Sequence, residues 1–433
     1  MRTLAEWLDY QQRTHPRAIE LGLARVSEVW RRMGAPRVAP VVITVGGTNG
    51  KGSTVAFLEA MLAASGKRVG SYTSPHLLRY NERVRVHGAP VDDAALVDAF
   101  ERIEQARGAA AAQPVALTYF EFGTLAALWI FAQSALDVAL LEVGLGGRLD
   151  AVNILDADAA IVTTVDLDHQ DWLGNDREAI GREKAGIFRR GAPAIVGTQD
   201  PPASLLAEAE RIGARLLRAG RDYAIERRAT DWRWCCEGLA LDLPMPVLDA
   251  AVQLDNAAAA LAALSVLRER LGWQPGALAA GVRQARVAAR LQRFEKPASP
   301  ELVIDVGHNP QAAGVLAAWL ALHPPRQRNL AVFGALADKD VAGIVAPLHV
   351  HVARWHLAAL DRDTPRGLDA AGLQARLDAP SAALEPHASV REALNAAAGV
   401  ARAGDRIFAF GSFFVAAAAL QWASDKGYVE ALH

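Results

Sequence analysis

The 433-residue chain has little cysteine: two residues, adjacent at Cys235 and Cys236. Sequence neighbours rarely reach disulfide geometry, and no further thiol exists to pair with them. A disulfide-stapled scaffold is thereby excluded, and a reducing compartment is the simple expectation. No stretch of 18 uncharged apolar residues occurs, so no transmembrane helix is expected. The first twenty residues, MRTLAEWLDYQQRTHPRAIE, mix charge with apolar side chains and lack the continuous apolar core of a signal peptide. A cytoplasmic protein without a membrane partner follows. A charge excess is also missing. The net charge of -2 argues against a general nucleic-acid binder, which usually shows a strong basic surplus.

What is present is a globular composition, 52% hydrophobic and 22% charged, at a length that fits two or three domains. Residues 41–45 (VVITV), 137–143 (DVALLEV) and 159–165 (AAIVTTV) read as buried strands. Residues 53–64, 121–133 and 176–187 read as helices. Continuous apolar strands alternating with helices indicate a doubly wound parallel sheet, whose carboxyl edge binds ligands. The pattern changes to short strand-like pieces around 221–250, followed by a helix over 253–272. A polar stretch ending in KPASPE reads as a linker. Strands at 301–306, 329–334 and 405–410 then open a second alternation. The expected fold is α/β: a phosphate-loop ATPase-like doubly wound domain over 1–295, and a smaller Rossmann-like α/β domain over 296–433.

VVITVGGTNGKGSTVAFLEAML (41–62) places a strand, a glycine-rich turn and a helix start in sequence. Backbone N–H groups and the helix dipole then converge on one point suited to phosphate. Lys51 can reach terminal phosphates, and Ser53 or Thr54 offers a hydroxyl for Mg²⁺. The usual spacing is G-x-x-x-x-G-K-[ST]. Here Gly52 follows Lys51, and Val45 stands where the first glycine belongs. The ordinary alternative is a tight turn with a solvated lysine. LLEVGLGGRLDAVN (140–153) fails the dinucleotide pattern, because Leu149 occupies its last glycine. It reads as a strand end delivering Glu142, then a loop delivering Arg148 and Asp150. TTVDLDHQDWLG (163–174) gathers Asp166, Asp168, His169 and Asp171 at another strand end, a candidate metal or phosphate site. Lys184 in GREKAGIFRRG, taken alone, reads as a solvent-facing salt-bridge residue. Asp305 and His308 in LVIDVGHNPQAAG follow a strand in the second domain, as do GALADKD and FGSFFVAA.

Read together, these loops resemble the bacterial dihydrofolate synthase/folylpolyglutamate synthase family, within the larger group of Mur-type peptide-bond ligases. GTNGKGS (47–53), TSPHL (73–77), NERVRVHG (81–88), TYFEFGTLAAL (118–128), EVGLGGRLDAVN (142–153), DHQDWLG (168–174), GREKAGI (181–187) and DVGHNP (305–310) are similar to its motifs, in order, over nearly the whole chain. The displaced glycine after Lys51 is itself part of that resemblance. The activity implied is ATP-dependent ligation of L-glutamate to dihydropteroate, giving dihydrofolate. Tetrahydrofolate and its polyglutamate forms are implied as further acceptors. An acyl phosphate is the implied intermediate, and the enzyme a monomer.

The resemblance also implies roles by position. Gly47, Thr48, Asn49, Gly50, Lys51, Gly52 and Ser53 would hold ATP phosphates, with Asn256, Arg290 and Asp305 as further ATP contacts. Ser74, Glu142 and His169 would ligate Mg²⁺. Lys184 would be carbamylated and help hold a second Mg²⁺. Lys51, Lys184 and His308 would be catalytic. Thr118, Tyr119, Phe120 and Glu121, with Leu149, Asp150 and Ala151, would bind pteroate. One departure stands out: Ala289 precedes Arg290 where the family usually has glycine. Arg290 is favoured because Leu-Gln follows it, with Arg293 as the alternative. A single-activity synthase, a cell-wall ligase acting on a UDP-sugar peptide and a nucleotide switch without ligase activity are the competing readings. TYFEFG and the two-domain length argue against the cell-wall ligase. The acidic and histidine loops argue against the switch.

Overall fold

The computed structural model describes all residues except 1, 16, 18, 109–113, 378–383 and 432–433. The chain divides into two compact units. Met1–Pro246 and Leu254–Arg286 form the first; Val247–Gln253 and Val287–His433 form the second.

Eight described strands form one sheet in the first unit. Their spatial order is Ala89–Pro90, Val84–Val86, Val69–Tyr72, Val138–Glu142, Val41–Gly46, Ala159–Val162, Pro193–Val196, Arg215–Arg218. The last six run parallel, and the first two form an antiparallel edge. Val41–Gly46 is buried at every position, which is why it reads as a nearly continuous β-branched and apolar run. It lies between Val138–Glu142 and Ala159–Val162, with Val45 opposite Glu142 and Gly46 opposite Val162. The loops that follow these three strands therefore leave the sheet side by side. Helix Pro275–Gln284 packs so closely on helix Lys51–Ala64 that a Cβ at Gly281 would strike the backbone of Met61.

Tyr223–Arg227, Asp231–Cys236 and Leu239–Pro244 form a separate antiparallel sheet, as the short strand-like pieces suggested. Its middle strand alternates: Trp232, Trp234 and Cys236 are buried, whereas Cys235 is exposed. The helix expected over 253–272 is two helices, Val252–Val266 and Arg268–Leu271. Near the break, Ser265 Oγ donates to the Ala262 carbonyl (2.8 Å), a local bond that competes with the helical ladder.

Seven described strands form the sheet of the second unit: Leu384–His387, Arg354–Ala358, Asn329–Phe333, Arg406–Phe410, Glu301–Ile304, Gln292–Glu295, Val429–Glu430. The first five are parallel and the last two antiparallel. The segment read as a linker is instead the turn of a hairpin between Gln292–Glu295 and Glu301–Ile304. The Ser299 N–H closes it on the Lys296 carbonyl (3.1 Å). Proline and serine suit a tight turn as well as a tether, so composition did not separate the two. Among the described residues, no helix is long and apolar enough to cross a membrane.

Candidate active site

The turn after Val41–Gly46 is held from the neighbouring strand. Asn49 O accepts from Thr163 Oγ1 (2.6 Å) and Thr164 Oγ1 (3.2 Å), and the Asn49 N–H donates to Thr164 Oγ1 (3.0 Å). The Thr48 N–H donates to the Thr164 carbonyl (2.8 Å), and its hydroxyl pairs with the Asp166 backbone. Neither threonine was singled out in the sequence; their only signal is a Thr-Thr pair at a strand end. A Cβ on Gly47 would fall on the Thr163 side chain, and one on Gly50 on the carboxamide of Asn256. Gly50 also lies in the left-handed region (φ 88°) and caps the helix without a side-chain bond. The first N–H groups of helix Lys51–Ala64 thus point out of a crowded glycine cradle, as an anion requires. Lys51 Nζ folds over it onto the carbonyls of Gly47 and Thr48 (3.0 Å each). Ser53 and Thr54 are buried, and Thr54 Oγ1 has no hydrogen-bond partner.

Glu142 ends its strand without being solvated. It is 5% exposed, accepts from the Ser74 N–H (3.0 Å), and faces the position a Cβ of Gly52 would take at 3.8 Å. Ser74, Glu142 and the helix start are therefore brought together. His169 opens the short helix Gln170–Leu173 in a left-handed conformation (φ 52°), its Nε2 3.9 Å from an Asp168 carboxylate oxygen. The oxygen donors of Glu142 and Ser74 suit a hard divalent cation.

Lys184 departs most from its isolated reading. It is the penultimate residue of helix Arg177–Ala185 and is 3% exposed rather than solvent-facing. Burial, reinforced by the Lys51 ammonium, pushes its amine down to about 7, against the pull of Asp168 and Asp150. The helix end is pressed on the loop after Glu142. A Cβ at Gly147 would lie 3.0 Å from the carbonyls of Glu183 and Lys184, and the Arg148 N–H donates to Glu183 O (2.9 Å).

The two segments expected to bind pteroate meet each other. A Cβ at Gly144 would lie 2.6 Å from the Phe120 ring, and the Gly144 N–H donates to Asp150 Oδ2 (3.0 Å). Asp150 also accepts from Leu145 and Val152, yet burial raises its carboxyl to about 6. Leu149 is half-buried and Ala151 buried. Thr118 caps helix Tyr119–Gln133, and the buried Glu121 returns a bond to the Thr118 N–H (2.8 Å). The other Glu121 oxygen stands 3.1 Å from Arg25 Nη2. Glu121 is thus engaged in capping and an ion pair, while Tyr119 and Phe120 stay partly exposed.

In the second unit Asp305 is buried and accepts from the N–H groups of Leu291 (2.8 Å) and Gly307 (2.6 Å). Burial raises its carboxyl and the Arg290 charge opposes this. Arg290 and His308 both lie 5.9 Å from the Phe413 ring. His308 Nδ1 pairs with the Val306 carbonyl (2.8 Å). Arg293 is instead fixed in the sheet, 2.5 Å from Glu301, which Arg406 also holds (2.7 Å). Ala289 sits at φ 54°, a region suited to glycine.

A phosphate-loop unit followed by a second α/β unit is the build of an ATP-dependent ligase. Consistent with this, residues 289–413 match the family model "Mur ligase, glutamate ligase domain". The dihydrofolate synthase/folylpolyglutamate synthase of Escherichia coli (strain K12) is 46% identical over 415 residues, 96% of this chain and 94% of that one. Among solved structures, E. coli FolC in complex with DHPP and ADP superposes with a TM-score of 0.90 at 44% identity, covering 98% of this chain and 99% of that one. A bifunctional folylpolyglutamate synthase/dihydrofolate synthase with Mn, AMPPNP and L-glutamate bound gives 0.87 at 42%, covering 97% and 98%. The chain belongs to the dihydrofolate synthase/folylpolyglutamate synthase family.

Proposed function

We propose that this protein ligates L-glutamate to dihydropteroate and to reduced folates, tetrahydrofolate and its polyglutamate forms, at the expense of ATP. The observation that carries the reading is the 47–53 cradle with Lys51 folded over it and the Glu142 carboxylate facing its helix start. A carboxylate oxygen is a poor leaving group, so the acceptor carboxylate takes the γ-phosphoryl group, giving ADP and an acyl phosphate. The glutamate amine then attacks the acyl carbon. Phosphate leaves with the bonding electrons and the amine loses a proton. Lys51 and the loop N–H groups counter the charge of the transferring phosphoryl group. Mg²⁺ held by Glu142, Ser74 and His169 would supply further charge neutralisation there.

Lys184 adds a support of its own. An amine brought down to about 7 is unprotonated in a substantial fraction near neutral pH, the form that attacks CO₂. The N–C bond that forms, with loss of one proton, turns the neutral amine into a carbamate anion, an oxygen donor suited to a second Mg²⁺. Asn256 supports nucleotide binding by lying against Gly50. Arg290 rather than Arg293 is proposed as the nucleotide arginine, since Arg293 is committed to Glu301. Asp305 and His308 complete the proposed nucleotide and catalytic set.

The test is ADP release with Mg-ATP and L-glutamate, comparing dihydropteroate with tetrahydrofolate and weighing the products by mass spectrometry. Glutamate-dependent release with both acceptors, each gaining one glutamyl residue, is expected. Lys51→Ala and Glu142→Ala should abolish it with the fold intact. ADP release independent of glutamate, or none with either acceptor, would refute the assignment.

A further inference from the structure

The second unit carries a group of donors that the ligase chemistry does not use. Its edge strand Leu384–His387 runs parallel to Arg354–Ala358, with His356 opposite Glu385 and Ala358 opposite His387. Side chains two apart share a sheet face, so this register puts His356, Glu385 and His387 on the same face. His356 is fully buried, and the other two are half-buried at the sheet edge.

Their donor atoms converge. His356 Nδ1 lies 3.0 Å from His387 Nε2 and 3.6 Å from Glu385 Oε2, and His387 Nε2 lies 3.8 Å from Glu385 Oε1. The two rings share one hydrogen bond, whereas the carboxylate is beyond hydrogen-bond range of both and is gathered there without being held by either ring. Two ligands each about 2.1 Å from one ion, at angles of 90–120°, stand roughly 3.0–3.6 Å apart. The observed spacings match, and the loose terminal torsion of a glutamate closes the longest of them. Burial keeps the His356 imidazole neutral, its pKa down to about 4, which leaves a lone pair for a ligand. With Nδ1 turned to an ion, the one ring proton sits on the buried Nε2, which has no hydrogen-bond partner. An open cavity of about 340 Å³, lined by His387, Pro386, Asp361 and Asp369, gives an ion access.

We propose that His356, Glu385 and His387 form a binding site for a divalent transition-metal ion of the zinc class. Two neutral imidazoles and one carboxylate suit such an ion better than Mg²⁺, which prefers oxygen alone. The ion would tie the edge strand to its neighbour and leave a coordination position open to the cavity.

The probe is Co²⁺, whose visible absorption reports imidazole ligation, titrated into the nucleotide-free full chain, with Zn²⁺ competition. Wild type should take up one Co²⁺ per chain that Zn²⁺ displaces. His387→Gln and Glu385→Gln, both near the surface and outside the ligase site, should weaken that event at least about tenfold. His169→Ala, which removes the imidazole of the nucleotide site, should leave it unchanged. Absence of the event, its persistence in His387→Gln, or its loss in His169→Ala each overturns the proposal. Zn²⁺ should also raise the melting temperature of wild type and not of Glu385→Gln.

Discussion

Replacing Lys184 by Met in carbonate-free buffer removes a buried amine while keeping an unbranched stem of similar length. The amine's ordinary value of 10.5 falls to about 7 in the folded chain. At about 1.4 kcal/mol per pH unit, that gap corresponds to roughly 5 kcal/mol against folding wherever the group is charged in both the folded and the unfolded chain. The sign is fixed by which state holds the proton. The folded value lies below the unfolded one, so the cost is complete below pH 7, shrinks as pH rises, and vanishes above 10.5. It amounts to about 4 kcal/mol at pH 7 and about 2 kcal/mol at pH 9. The methionine variant carries no such term. It should therefore be more stable than wild type at pH 7, by up to about 4 kcal/mol, and this lead should narrow by about 2 kcal/mol at pH 9. Urea unfolding, followed by hydrogen exchange of the peptide carrying Arg177–Ala185, reads the difference. Saturating bicarbonate should stabilise wild type alone, because the carbamate removes the buried cation. A pH-independent lead, or a variant less stable at pH 7 by more than about 1 kcal/mol, would refute the reasoning.

Gly50→Ala combines a left-handed φ of 88° with a clash on Asn256, so it should lose ATP affinity and about 1–3 kcal/mol of stability, read by calorimetry and thermal melting. Arg25→Met strands the Glu121 carboxylate, whose side chain is only 4% exposed. A loss of about 3 kcal/mol is expected in urea, and Arg25→Met with Glu121→Gln should lose less than the single change. Ala289→Gly relieves a left-handed alanine at about 1 kcal/mol, offset by the freer unfolded chain. Its melting temperature should hold or rise slightly, and a drop of several degrees would contradict the strain.

The parallel sheet of the first unit was legible because a strand buried on both faces must be largely apolar, as Val41–Gly46 and the first four residues of Val138–Glu142 are. The strand-end polar loops were legible for the same reason: Glu142 follows four apolar residues. Lys184 was not legible locally. Its helix, REAIGREKA, is polar, and its burial arises from Gly147 pressing on the helix end, a contact 37 residues away in sequence (184 − 147). Motif resemblance marked the position, but only packing explains its chemistry. Thr163 and Thr164 escaped because a hydroxyl at a strand end looks the same whether or not it holds a loop. The hairpin at 296–300 escaped because turns and tethers share a composition. The histidine pair at 356 and 387 escaped because only strand register joins positions so far apart.

The middle strand of the small antiparallel sheet has a practical consequence. Its alternation buries Cys236 and exposes Cys235, and the chain has no third cysteine. A maleimide dye should therefore attach at one defined point on the first unit, on a sheet that carries none of the proposed site residues. A second thiol engineered on the other unit would make a two-colour distance ruler, able to report whether nucleotide and glutamate alter the distance between the two dyes during turnover.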